Sequence, residues 1–234
     1  MAEAPPRGTL PEAQVRAMFD RIARVYDRMN SVMTAGMHHA WRDRAAELSG
    51  VGPGDRALDV ATGTGDLALA LDRRVGPEGE VVGLDFSEPM LELARRKAPG
   101  IRFEAGNALA LPYPDEHFDA ATVGFGARNF SDLRRGLAEM ARVTRSGGRV
   151  VVLEITSPRR PPLSWFFGLW FDRAVPTLGR MAGDSDAYAY LPSSVRRFPE
   201  PAELADELAQ LGLREIRWFI TAGGIIAFHV GVKR

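Results

Sequence analysis

The segment "LDVATGTGD", residues 58–66, decides how the rest of the chain is read. Just before it, "RALDVA" (56–61) is an apolar run of strand length, and "DLALALDRRV" (66–75) repeats apolar residues at helical spacing. A glycine-rich turn therefore joins a strand to a helix. Gly63 and Gly65 permit a sharp backbone turn and a close ligand approach, and the helix N-terminus behind them favours polar or anionic groups. Gly63-x-Gly65-x-x-Ala68 fits the loose dinucleotide fingerprint. A dinucleotide thus competes with S-adenosylmethionine, and both compete with an ordinary strand–helix turn that binds nothing.

Outward from this turn the pattern alternates. "EVVGLDF" (80–86) is a second strand, and "EPMLELARRKA" (88–98) is a helix that Ser87 can cap, with Pro89 tolerated in its first turn. "IRFEAG" (101–106) and "HFDAATVGF" (117–125) are strands three and four. "DLRRGLAEMARVTR" (132–145) is a helix stopped by Gly147 and Gly148, and "RVVVLEI" (149–155) is strand five. Strands alternating with helices predict a parallel sheet covered on both faces. The helix "PAELADELAQL" (201–211) ends at Gly212. Then "LREIRWFIT" (213–221) and "GIIAFHVGVKR" (224–234) meet at "AGG", a turn so close that the pair must be antiparallel. Toward the N-terminus, Val15, Met18, Phe19, Ile22, Val25, Tyr26 and Met29 recur at helical spacing, and a second helical stretch runs from about 38 to 48. Residues 1–10 read as a disordered tail, leaving one domain over 11–234. Within it, 11–50 forms a helical cover and 158–198 a substrate-side insert.

Composition narrows the function. The 234 residues are 45% hydrophobic and carry 30 basic against 30 acidic side chains, so no basic excess steers the chain to nucleic acid. The lack of cysteine removes disulfides, thiolate metal sites and thiol nucleophiles. Four scattered histidines make no metal site expected. The N-terminal "MAEAPPRGTLPEAQ" has no apolar signal core, and no apolar run approaches the roughly 20 residues that cross a bilayer, so the cytoplasm is the expected location.

Three features favour S-adenosylmethionine over a dinucleotide. Asp59 lies inside strand one, where a carboxylate suits the ammonium of a methionine moiety and sits poorly beside a pyrophosphate. Asp85 ends strand two, where it can accept hydrogen bonds from both ribose hydroxyls, a role that fits either cofactor. The terminal strand pair resembles the class I S-adenosylmethionine-dependent methyltransferase fold, a Rossmann-like α/β arrangement whose seven-stranded sheet has an antiparallel last strand. "GNALALPYPDEHFDAA" (106–121) looks like that fold's adenine loop, with Asn107 and Ala108 at the base.

The likeness extends beyond the fold. "FDRIARVYDRMN" (19–30), "GMHHAWR" (36–42), "LDVATGTGD", "FGARNFSD" (125–132) and "YAYLPSSVRRFP" (188–199) occur in order, and together they resemble the UbiE/MenG family of quinone C-methyltransferases. The resemblance implies methyl transfer to a ring carbon of demethylmenaquinol or of a ubiquinol precursor. It places Thr62, Asp85, Asn107 and Ala108 at cofactor-contacting positions. One departure stands out: where the family often has serine before "FG", this chain has Gly124.

A methyl sulfonium needs a carbon nucleophile, and a quinol ring carbon becomes one as the neighbouring hydroxyl, with an ordinary pKa near 10, loses its proton. Arg128, after strand four at the sheet's carboxyl edge, is the first choice for stabilising phenolate, with Asn129 orienting the same oxygen or a water. Against this, Arg128 could simply pair with a helix carboxylate. His38 and Asp27 are candidate proton acceptors. Tyr26 could turn its ring to the sulfonium. Tyr188 and Tyr190 are expected to line the acceptor pocket. "LSWFFGLWF" (163–171) gathers five aromatic side chains; Trp165 and Trp170 suit either a lid packed on the sheet or a slot for a polyprenyl tail at a membrane surface. The expected partner is a lipophilic quinol, met at the inner face of the cell membrane; self-pairing is left open. A small phenolic or sterol-like acceptor, an NAD-linked reductase and a non-catalytic cofactor-binding module remain as alternatives.

Overall fold

A computed structural model describes residues 11–158, 161–169, 173 and 185–234 of the chain. The tail at 1–10 and Trp170 lie outside the described residues. Seven strands form one sheet: β1 Arg56–Val60, β2 Glu80–Asp85, β3 Arg102–Ala105, β4 Phe118–Gly124, β5 Thr144–Ile155, β6 Leu213–Thr221 and β7 Ile226–Lys233. Their order is β3-β2-β1-β4-β5-β7-β6. The first five pair in parallel, while β7 runs antiparallel to both β5 and β6. This is the class I methyltransferase topology that the sequence predicts. The chain reverses its direction of winding between β1 and β4. That switch point opens a crevice at the carboxyl ends of the two strands, where ligands settle in open parallel sheets.

Alternation along the strands builds a core on each face. Val151 and Leu153 face one layer with Leu67, Leu71, Leu91 and Phe103; Val150 and Val152 face the other with Leu137, Met140, Leu204 and Leu208. Because both faces are buried, the strands read as nearly continuous apolar runs. Helices α2 Met37–Ser49, α3 Asp66–Val75 and α4 Glu88–Lys97 supply the first layer; α5 Leu133–Val143 and the late helix Pro201–Gln210 supply the second. The N-terminal α1, Glu12–Thr34, forms a separate cluster in which Val15, Met18 and Ile22 pack with Met90 of α4 and with Tyr190. Each such side chain contributes about 1.5–3 kcal/mol by leaving water, which holds α1 against the sheet's carboxyl edge.

Several boundaries differ from expectation. The fifth helix stops at Val143, not 145. Thr144 is already extended, its hydroxyl bonding the Met140 carbonyl at 2.7 Å while it pairs with Phe118. β5 therefore starts five residues early and runs through the glycines with a bulge. Ser87 stands at the N-cap of α4 but does not cap it with its side chain; its hydroxyl donates to Asp20 of α1 at 2.5 Å, a charged acceptor that outcompetes its own helix. "YAYLPSSVRRFP", given no element from its sequence, lies mostly in a helix at Ser185–Arg197 that contains Pro192. The aromatic stretch begins as the short α6, Leu163–Leu169. Numbered in chain order, Ser185–Arg197 is α7 and Pro201–Gln210 is α8.

Candidate active site

Two cavities meet at the switch point. The first, about 870 Å³, is bordered by the β1–α3 turn, Asp85, Phe86, Asn107 and the loop after β4. Gly63 and Gly65 both take positive φ, +56° and +84°, for different reasons. A Cβ on Gly63 would meet nothing within 4 Å, so that glycine leaves room for a ligand. A Cβ on Gly65 would lie 2.8 Å from the Phe103 ring, so that glycine lets helix and sheet close together. Ala61 and Phe125, at the carboxyl ends of β1 and β4, also hold positive φ, +53° and +62°. Left-handed backbone costs a non-glycine residue about 1–2 kcal/mol, and both strained residues border this cavity.

Two buried carboxylates define its polarity. Asp59 accepts hydrogen bonds from Thr62 Oγ1 at 2.6 Å and Thr122 Oγ1 at 3.1 Å, and burial pushes its pKa up to about 7. The Thr62 hydroxyl is thus committed to Asp59. Asp85 accepts from the backbone N–H groups of Gly63 and Ser87 at 2.8 and 2.9 Å, and burial pushes it up to about 6. Each oxygen keeps a further lone pair for a ligand hydroxyl. Asn107 is exposed; its Oδ1 accepts from Leu109 N–H at 2.8 Å and its Nδ2 donates to Glu12 at 3.1 Å, while Ala108 beside it is half-buried at the cavity edge. Gly124 also borders this space, and a Cβ there would lie 3.0 Å from Leu67 Cδ2, so a side chain in the family's usual place would press on Leu67.

Helix α1 is tied across this cavity by three carboxylates. Glu12 bonds Asn107 after β3, Asp20 bonds Ser87 after β2, and Asp27 bonds Thr64 after β1 at 2.5 Å. Positions 12, 20 and 27 lie close to two helical turns apart, on one face.

The second cavity, about 1540 Å³, is chiefly apolar, bordered by Met18, Ile22, Met29, Met33, Phe167 and Ile225 among others. Phe19, Tyr26, Arg42, Phe125 and Asn129 border both spaces. Tyr26 is half-buried and meets Phe19 edge-on at 6.2 Å. Arg128 borders the apolar cavity with its side chain 7% exposed. Its Nη1 donates to the Phe125 carbonyl at 2.6 Å and to Glu154 Oε1, while Glu154 Oε2 accepts from its backbone N–H at 3.2 Å. The carboxylate behind Arg128 therefore comes from a strand, not a helix. Arg128 Nε and Asn129 Oδ1 are both buried with no hydrogen-bond partner among the described residues. Tyr190 is buried in the cavity wall with the Arg197 guanidinium 5.5 Å from its ring centre. Tyr188 lies in α7, its side chain outside the described residues. Trp165 is 73% exposed, but Phe167, two residues on, faces the cavity.

The two candidate proton acceptors are placed unfavourably. His38 is buried, and burial with the Arg42 charge beside it lowers its pKa to about 4. Ser31 gives its own proton to the Asp27 carbonyl, so His38 Nε2–H donates to Ser31 Oγ at 3.2 Å and Nδ1 accepts from Arg42. Neither ring nitrogen retains a lone pair for a substrate. Asp27 faces a polar recess and binds Lys97 at 2.6 Å as well as Thr64. His38, His39 and Asp66 do gather there, within 4.8 Å of one another, despite the scatter of histidines in the sequence. Lys97, 2.7 Å from Asp66, and Arg42, on His38 Nδ1, already supply positive charge at that cluster. Arg42 and Glu154 escaped the sequence reading; Arg42 ends the "GMHHAWR" block, but nothing local marks Glu154.

The model of the ubiE/COQ5 methyltransferase family matches residues 8–233. A demethylmenaquinone methyltransferase of Deinococcus radiodurans is 46% identical over 94% of this chain and 92% of its own length. One of Roseiflexus castenholzii is 44% identical over 94% and 93%. A ubiquinone/menaquinone biosynthesis C-methyltransferase of Teredinibacter turnerae is 39% identical over 94% and 91%. Among solved structures, a SAM-dependent methyltransferase of Thermotoga maritima aligns with TM-score 0.66 at 20% identity, covering 94% of this chain and 99% of that one. The [4+2]-cyclase SpnF aligns with TM-score 0.70 at 19% identity, covering 99% of each chain. These last two speak for the fold alone, and a cyclase on the same fold shows how little fold fixes chemistry.

Proposed function

With the chain belonging to the ubiE/COQ5 methyltransferase family, we propose that it methylates a ring carbon of demethylmenaquinol, the apolar cavity taking the tail. The chain is an S-adenosylmethionine-dependent methyltransferase of quinone biosynthesis. Relatives named for demethylmenaquinone, aligned over more than nine-tenths of the chain, support the naphthoquinol over the benzoquinol. Two buried carboxylates bordering the first cavity, with room for a ligand left at Gly63, fit a donor carrying an ammonium and a ribose diol. S-adenosylmethionine bound there supplies an electrophilic methyl group.

The observation that carries the acceptor side is the pair of orphaned groups on adjacent residues. Arg128 Nε is a donor without an acceptor and Asn129 Oδ1 an acceptor without a donor. A quinol hydroxyl set between them satisfies both, accepting from arginine and donating to asparagine. Arg128 then stabilises the phenolate oxygen as the proton departs to water, and Glu154 holds the guanidinium in place. Tyr26 and Phe125, in the shared wall, direct the ring carbon toward the donor cavity, because positioning supplies much of the rate. The chain meets its substrate at the bilayer surface, with Trp165 and Leu169 presented there. The two are 73% and 54% exposed on either side of Phe167, and no described helix is long and apolar enough to cross a membrane. The reading is tested by extracting quinones from a strain lacking the gene. Demethylmenaquinone should accumulate and plasmid-borne protein should remove it; a full complement of menaquinone in the deleted strain refutes the assignment.

A further inference from the structure

Among the described residues bordering the donor cavity, the charged ones are Glu12, Asp59 and Asp85, all acidic, and one cation, Arg42. The amino-acid end of the proposed donor is a zwitterion. Asp59 suits its ammonium, but nothing acidic can receive its carboxylate, and a carboxylate taken out of water without a partner is strongly disfavoured. We propose that Arg42 binds the α-carboxylate of the donor, forming with Asp59 a clamp for an α-amino acid. This rests on the first cavity being the donor site.

The geometry fits. Arg42 stands on α2, 6% exposed, with its guanidinium carbon 5.3 Å from the centre of the Phe125 ring. Its hydrogen bonds and ion pair with the described residues all use Nη1: His38 Nδ1, the His38 carbonyl at 3.3 Å and Asp66 at 3.7 Å. Nε and Nη2 make no hydrogen bond to the described residues, and two N–H groups of one guanidinium match the two oxygens of a carboxylate. Asp66 divides its carboxylate between Arg42 Nη1, at 3.7 Å, and Lys97, at 2.7 Å, and does not engage Arg42 Nε or Nη2. Arg42 also helps keep Asp59 ionised through space, as a member of the same charge cluster must. His38, unsuited to proton transfer, here acquires a role: its Nδ1 lone pair fixes the guanidinium from behind.

Arg42 also borders the apolar cavity, so the experiment must separate donor from acceptor. Calorimetry on the full chain compares S-adenosylhomocysteine, its decarboxylated analogue and 5′-methylthioadenosine, which lacks the amino-acid end. For Arg42→Gln, S-adenosylhomocysteine affinity should fall about 10–100-fold, as for loss of a hydrogen bond to a charged group, while the other two ligands stay within about twofold. Arg42→Lys should recover part of the loss. Unchanged methylthioadenosine binding reports an intact fold. Equal losses for all three ligands would make Arg42 merely structural and overturn the clamp. So would unchanged S-adenosylhomocysteine affinity, with or without weaker quinol binding. Wild-type protein that binds none of the three defeats the donor-site reading itself, whatever Arg42 does.

Discussion

Asp59 and Asp85 make donor binding sensitive to pH. Burial lifts them to about 7 and about 6 from an ordinary 3.8, so the folded chain holds protons that the unfolded chain has released. Stability should therefore fall as pH rises from about 4 to 7. Asp59→Asn should flatten that slope and raise Tm at pH 8 while weakening donor binding. An ammonium beside Asp59 pulls its pKa back down, so binding at pH 6 should release protons and tighten toward pH 7. Calorimetry in buffers of different ionisation heat measures the release; a release unchanged in Asp59→Asn would sink the assignment. On the acceptor side, Arg128→Ala should lower turnover about 10²–10³-fold and leave S-adenosylhomocysteine affinity within about threefold. It also strands buried Glu154, at a cost of about 3–5 kcal/mol, so Arg128→Ala/Glu154→Gln is the folded comparison. Comparable losses of turnover and donor affinity would remove Arg128 from the acceptor side. Asp59 and Gly63 were legible because a strand, a turn and a helix fix them within one short motif, and Asp85 because it ends the next strand of the alternating pattern. Glu154 was not, since it gains meaning only when β5 brings it beside a residue 26 positions earlier.

Helix α1 shows both how much and how little of an element can be read in sequence. Its apolar spacing predicted a helix; its polar face, with Glu12, Asp20 and Asp27 bonded to the loops after β3, β2 and β1, follows from tertiary placement. Ser87 makes the same point, being a natural cap by sequence and a latch in the fold. Asp20→Ala should release the middle of α1. Amide exchange in α1 should quicken and S-adenosylhomocysteine should dissociate several-fold faster, with exchange in β1 and β4 unaltered. Unchanged exchange in α1 would mean that apolar packing alone holds the helix. Helix α7 was illegible for the opposite reason: Pro192, a helix breaker by propensity, sits inside it, where contacts of Tyr190 and Val195 with α1 and α6 outweigh propensity.

Across the whole molecule, topology was the most legible property, because alternating strands and helices with a closing hairpin leave few ways to build the sheet. The two connected cavities were not legible, since their walls combine residues from α1, α2, the β4 loop, α6 and α7. The apolar cavity and the exposed Trp165 and Leu169 predict that the protein floats with vesicles containing anionic lipid and that Trp165→Ser/Leu169→Ser floats much less. Methylation of a short-tailed quinol should be equal in the two proteins; equal flotation would leave the surface without a membrane role. Phe19 and Tyr26 of one helix wall both chambers, so a single door serves two rooms. A bulky product lodged beneath that door should keep the spent nucleoside, S-adenosylhomocysteine, shut in. The methylated quinol should therefore leave before fresh donor enters, an enforced sequence of departures that product-inhibition patterns would expose.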